Sequence, residues 1–195
     1  MNNTLRLPLL GLSVAALLFL GGCSSRPVEF YQLPYTPVDI ASQSDGLAVL
    51  VGPIKLADYL QREQILQRQQ DGRLLYSRQG RWAGGLEEEI GHLLQAQIAA
   101  HGNNSQVSLY PDRLGIKPGV QLLISINRLD SGEQQPAVLQ AQWRLLDVQG
   151  RQRAARLLSL ERAHDGSMQE QVRAQGWLLE QLAQEAARAI ADYRF

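Results

Sequence analysis

A single cysteine and three histidines stand in 195 residues. A lone cysteine cannot close an internal disulfide, and so few thiols and imidazoles leave no spaced ligand set for a structural or catalytic metal. Charge of one sign is missing as well. Nineteen Lys and Arg balance 19 Asp and Glu, so no global field draws nucleic acid or an anionic lipid surface. Gly-x-Ser-x-Gly, a phosphate loop and His-Glu-x-x-His are all absent, leaving no catalytic residue and no metal ligand to name. There is no internal repeat and no low-complexity segment. What is present is 45% hydrophobic and 19% charged residues, the profile of one globular domain plus something extra.

The extra part is N-terminal. Arg6 precedes an almost unbroken apolar run from Leu7 to Leu20, and the small residues Gly21 and Gly22 follow. About 14 residues at ~1.5 Å rise make ~21 Å of helix, short of the ~30 Å hydrocarbon core that a permanent span must cross. Residues 1–22 therefore read as a signal peptide. Leu20-Gly21-Gly22-Cys23 resembles a bacterial lipobox, with cleavage between Gly22 and Cys23 and a diacylglyceryl and an N-acyl group on Cys23. Two or three acyl chains make anchoring effectively stable, whereas one holds only marginally. In such lipoproteins an aspartate after the cysteine favours the inner membrane. Ser24 stands there instead, which implies the periplasmic face of the outer membrane. Removing residues 1–22 deletes one arginine and no acid, leaving 18 basic against 19 acidic groups. Residues 23–27 form a short tether, and even extended they hold the domain within ~20 Å of its anchor.

Residues 28–195 read as one α+β domain, a mostly antiparallel sheet covered by two helices. Val28–Leu33 is strand-like, and Pro34–Gly46 is a turn-rich loop. Leu47–Ile54 is a buried strand broken at Gly52-Pro53. Gln64–Arg68 and Arg73–Ser77 flank Asp71-Gly72 and form a hairpin. Leu86, Ile90, Leu93, Leu94 and Ile98 make one apolar stripe, so the first helix runs there and stops at His101-Gly102-Asn103. Gln106–Tyr110 is a short strand. Val120–Leu129 and Val138–Val148 alternate with period two, and Gln149-Gly150 turns the second into Arg151–Arg162. Ser167 and Glu170 form a capping box for a last helix whose stripe is Leu178, Leu182, Ala186 and Ile190, ~26 residues or ~39 Å long.

His92, His101 and His164 sit beside a stripe, at a helix end and in a turn, as solvated or capping residues do. Glu87, Glu88 and Glu89 point about 100° apart on a helix, cannot converge on a cation, and suit the dipole of a helix start. Tyr59, Leu60 and Trp82 are bulky side chains in expected loops, which makes them the candidate partner contacts, with Trp82 equally able to plug the core.

Three segments carry a family resemblance. Phe30-Tyr31-Gln32-Leu33, Val51–Leu60 and Arg81–Leu86 resemble the Tyr-Tyr-x-Leu, Val-Gly-Pro-Val-x-Leu-Pro-x-Tyr-Leu and Arg-Trp-Ala-x-x-Leu segments of the ABC-type transport auxiliary lipoproteins, a PqiC-like family. The chain departs from the family at Gln61-Arg62-Glu63-Gln64-Ile65, where Asp-Arg-Pro-Gln-Ile is frequent. The resemblance implies a non-enzymatic subunit of an intermembrane lipid transport system. Its expected partner is an MCE-type tunnel protein, docked at the outer membrane, with a ring of copies as a further expectation. It implies no catalytic residue and no cofactor beyond the acyl groups on Cys23. The alternative is an acyl-anchored periplasmic module that carries lipid itself.

Overall fold

The computed structural model describes residues 27–34, 40, 46–112 and 117–193. The expected signal peptide, Cys23, most of the tether and most of the Pro34–Gly46 loop lie outside the described residues. The elements run β1 (Glu29–Tyr31), β2 (Val49–Leu56), a 3-10 turn (Asp58–Leu60), β3 (Gln64–Arg68), β4 (Leu74–Trp82) and α1 (Leu86–Gly102). They continue as β5 (Val107–Leu109), β6 (Val120–Gly132), β7 (Gln135–Asp147), β8 (Gln152–Arg162) and α2 (Met168–Ala191).

The eight strands form one sheet in the order β1-β4-β3-β6-β2-β5, with β7 on the other flank of β6 and β8 beyond it. The α+β class and the two helices agree with the sequence reading, but the sheet is mixed. The long β6-β7-β8 meander and the β3-β4 hairpin are antiparallel. In contrast, β1 runs parallel to β4, β3 to β6, and β2 to both β5 and β6. Period two in β6 shows that one face is covered and is silent on the direction of the neighbour. The better signal lay in β2. Val49, Leu50 and Val51 are each 1% exposed, and a continuous apolar run buried on both faces is how a parallel central strand reads. Its chain also crosses Gly52-Pro53 without ending, through a register shift against β6 between Val51 and Ile54.

Both helices lie on one side of the sheet. α1 packs on β2 and β5, α2 packs on β6, β7 and β8, and the helices pack on each other. Leu122, Ile124 and Ile126 of β6 and Leu139, Ala141 and Leu145 of β7 point up at Leu178, Leu179 and Leu182 of α2 and Ile90 and Leu94 of α1, all in one buried cluster. Each such Leu or Ile side chain contributes about 1.5–3 kcal/mol by leaving water, so this layer dominates the stability of the domain.

The caps show how local chemistry settles the ends. α1 stops where Asn103 takes a left-handed conformation at φ 43°. At α2 the Ser167 hydroxyl accepts from the Glu170 N–H at 3.3 Å. The reciprocal half of the expected box is replaced: Asp165 accepts from the Ser167 N–H at 2.8 Å, and the Glu170 carboxylate pairs with Arg173.

The N-terminal segment is stitched to both helices. The Leu33 N–H donates to Glu89 Oε2 on α1 at 2.9 Å. Pro34 lies so close over α2 that a Cβ on Gly176 would come 2.4 Å from its ring. Glu89 thus has a specific partner beyond the helix dipole that its position suggested.

Candidate docking site

Two surface clefts meet at the N-terminal end of α1, where Gly85 and Glu87 line both. The larger, about 740 Å³, opens between α1 and the β2-β5 edge and is walled by Pro53, Ile54, Leu109, Tyr110, Gly91 and His92. The smaller, about 550 Å³, has Leu56, Leu60, Trp82 and Leu86 as its apolar lining, with Phe30 and Arg62 at its sides. The two segments that carry most of the family pattern, Val51–Leu60 and Arg81–Leu86, are far apart in sequence and line this one surface.

Local sequence explains the geometry. β2 ends at Leu56, and the Leu60 N–H donates back to the Ala57 carbonyl at 2.9 Å, closing the 3-10 turn that tucks Leu60 inward. After β4 the chain turns through Ala83-Gly84-Gly85, all exposed, before α1 starts at Leu86 with Gly85 as an N-cap that has no side chain to offer. The Ala83 N–H donates to the Tyr31 carbonyl at 2.8 Å, and the Trp82 N–H to the Glu63 carbonyl at 2.7 Å. Of these three small residues, Gly85 is the one that both clefts share.

The structure brings Tyr59, Leu60 and Trp82 together around one internal gap of about 10 Å³, beside Leu129 and Gln175. Trp82 is not in a loop: it is the last residue of β4, 5% exposed, and belongs to the core cluster. Leu60 is 4% exposed. Their side chains form floor and lining, while neighbours such as Ala83 and Gly84 are exposed. Alternation explains this, because Trp82 shares a register pair with the half-buried Tyr31 and points with it to the helix side of the sheet. Tyr59 is half-buried, and its hydroxyl donates to the Asn127 carbonyl at 2.7 Å. Burial, then the nearby Asp130 carboxylate, pushes its phenol pKa up.

The histidines are dispersed. His92 Nε2 lies 3.8 Å from Glu88 on the exposed side of α1, His101 is exposed in its last turn, and His164 Nδ1 accepts from the Gly166 N–H at 3.0 Å. Among the described residues no group of three or more His, Cys, Asp or Glu is placed to hold a metal ion, and no helix is long and apolar enough to cross a membrane. Sequence reasoning did not find the buried polar groups behind the site. Asp130 is fully buried against Arg68 and Arg128, and Ser131, Gln171 and Gln175 form a buried hydrogen-bonded set.

The profile of the family described as ABC-type transport auxiliary lipoprotein component matches residues 31–187, and the chain belongs to that family. Three solved structures resemble it to different degrees. A protein described only as uncharacterized is 19% identical at TM-score 0.70, covering 85% of this chain and 99% of its own. A Xanthomonas campestris protein of family DUF330 is 18% identical at TM-score 0.61, covering 81% and 92%. A PelC dodecamer from Paraburkholderia phytofirmans is 10% identical at TM-score 0.47, covering 80% and 96%. No curated protein matches the chain. The family is that of a transport accessory component, which is not an enzyme class.

Proposed function

We propose that this chain is a non-enzymatic lipoprotein subunit of an MCE-type intermembrane lipid transport system. Acyl chains on Cys23 hold it on the periplasmic face of the outer membrane, and the surface at the start of α1 docks the end of the tunnel protein. The observation that supports this reading is the convergence of Val51–Leu60 and Arg81–Leu86 on one cleft-bearing surface. Buried Leu60 and Trp82 give that surface a rigid apolar floor, and exposed Ala83, Gly84 and Gly85 leave backbone free to approach a partner. Tyr59 acts beneath it, holding the 3-10 turn to β6.

A ring of copies fits the sheet. Among the described residues β8 pairs only with β7, and β4 is paired by β1 only over Gly80–Trp82, so two different strand edges are free at opposite ends. Different edges that pair head to tail close a ring when the rotation allows.

The test is mild crosslinking of whole cells followed by detergent extraction and mass spectrometry of the material that co-purifies with the full chain. Recovery of an MCE-type protein, with crosslinks at residues 83–88, is the expected result. Recovery of the lipoprotein alone at saturating crosslinker overturns the proposal.

A further inference from the structure

We infer that Val28 and Phe30 form an apolar wedge that seats in the interfacial layer of the bilayer holding the anchor. The inference rests on acylation of Cys23, which belongs to the reading above. Val28 is 48% and Phe30 69% exposed; Phe30 lies in β1 and Val28 just before it, two positions apart, the spacing that puts extended side chains on one side. They are the first large apolar side chains after the tether. Cys23 to Phe30 spans seven residues, at most ~25 Å when extended. The carbonyl and headgroup layer on each side of the hydrocarbon core is several ångströms thick, so a domain tied on so short a leash meets it at this corner. Phenylalanine, like tryptophan and leucine, is a side chain that interfacial segments bury at the headgroup and acyl boundary.

The surroundings say which force acts. The groove next to Phe30 carries Arg62 together with Glu63 and Glu87, one base and two acids. Glu29 is held by the Tyr31 hydroxyl, and Arg81 by the carbonyls of Ser77 and Gly80. The rim beside Phe30 thus carries no net positive charge, so the contact is apolar and independent of anionic lipid content. β1 is also built to carry it. Its pairing with β4, the Leu33–Glu89 hydrogen bond and the Pro34–Gly176 contact tie the wedge rigidly to strands and helices.

The experiment uses the full acylated chain carrying Phe30→Trp, reconstituted in phosphatidylethanolamine and phosphatidylglycerol vesicles with acyl chains brominated near the headgroup. The emission added over the wild-type chain is the readout, and Leu157→Trp on β8 is the reference. Leu157 is 74% exposed, five strand spacings or ~24 Å from β1. Vesicle-bound protein whose added emission falls at least twofold with brominated lipid, equally with or without phosphatidylglycerol, supports the wedge, while the reference responds only to aqueous iodide. Vesicle-bound protein whose added emission is quenched by iodide, or by neither reagent, overturns the wedge and leaves the anchor standing. Protein that fails to float with vesicles overturns the anchor and the wedge together.

Discussion

Arg68 on β3 holds Asp130 on β6 through two hydrogen bonds, Nε to Oδ1 at 2.9 Å and a terminal guanidinium nitrogen to Oδ2 at 2.7 Å. Arg128 adds a second guanidinium at 3.0 Å. β3 and β6 share a single register pair, Gln67 with Ser131, so this ion cluster does much of the joining where backbone pairing is sparse. It links the β3-β4-β1 arm, which carries Trp82 and the wedge, to the rest of the sheet.

Asp130→Ala leaves two guanidiniums without their carboxylate. Their side chains are 22% and 25% exposed, so water compensates part of the loss. The expected cost is about 2–3 kcal/mol, below the usual figure for breaking a fully buried pair. Urea denaturation of the full chain reads it, and Asp130→Asn, which keeps an acceptor, falls between the two.

Two glycines are expected to respond with opposite signs. A Cβ on Gly132 would stand 2.0 Å from the Arg68 carbonyl oxygen, a backbone atom with no room to yield. Gly132→Ala therefore destabilises by about 3 kcal/mol and separates β3 from β6. In the middle of α1, a Cβ on Gly91 would meet Ile54 and Leu109 at 3.5 and 3.6 Å, ordinary contact distance. Gly91→Ala stabilises by up to ~1 kcal/mol through helix propensity. Thermal melts of the two variants beside the wild type check both signs.

These particulars show what the sequence could carry. Spacing of Leu86, Ile90, Leu94 and Ile98 located α1, and alternation from Val120 to Ile126 located β6, because each side-chain period follows directly from backbone geometry. Strand direction and sheet order did not follow, since they depend on which distant segments meet. The Arg68–Asp130 pair was invisible for the same reason, its members lying 62 residues apart. At the docking site the sequence singled out Tyr59, Leu60 and Trp82 as bulky and therefore interesting. It could not say that two of them point inward, because β4 runs five residues beyond the Ser77 end that the hairpin pattern supplied, and a 3-10 turn tucks Leu60 in after β2.

Asp147 closes the β7-β8 turn, and its acidity gives a pH signature. Desolvation pushes its pKa up, but the N–H groups of Arg151 and Gln149 and the guanidiniums of Arg151 and Arg153 outweigh it and hold the carboxyl at about 2. An aspartate in the unfolded chain titrates near ~3.9. The folded form therefore binds its proton later, and the stabilisation it supplies is fully present above pH ~4 and lost as pH falls toward the folded value. The denaturation midpoint of wild type is expected to exceed that of Asp147→Asn at pH 5, with the gap shrinking by pH 2.5. A gap independent of pH refutes the assignment.

Stability and docking separate at neighbouring positions, Trp82 and Ala83. Trp82 is inside the core cluster, so Trp82→Ala removes a large buried side chain and costs about 3–5 kcal/mol. Any loss of partner binding in that variant comes with a lowered melting temperature. Ala83 is exposed and lines the smaller cleft. Ala83→Arg fills the cleft mouth with a long charged side chain, and an exposed substitution of this kind changes stability by no more than about 0.5 kcal/mol. If the tunnel end docks here, Ala83→Arg lowers recovery of the MCE-type partner at least tenfold at an unchanged melting temperature. Unchanged recovery from Ala83→Arg, measured in the same crosslinked extract as wild type, moves the docking site away from this cleft.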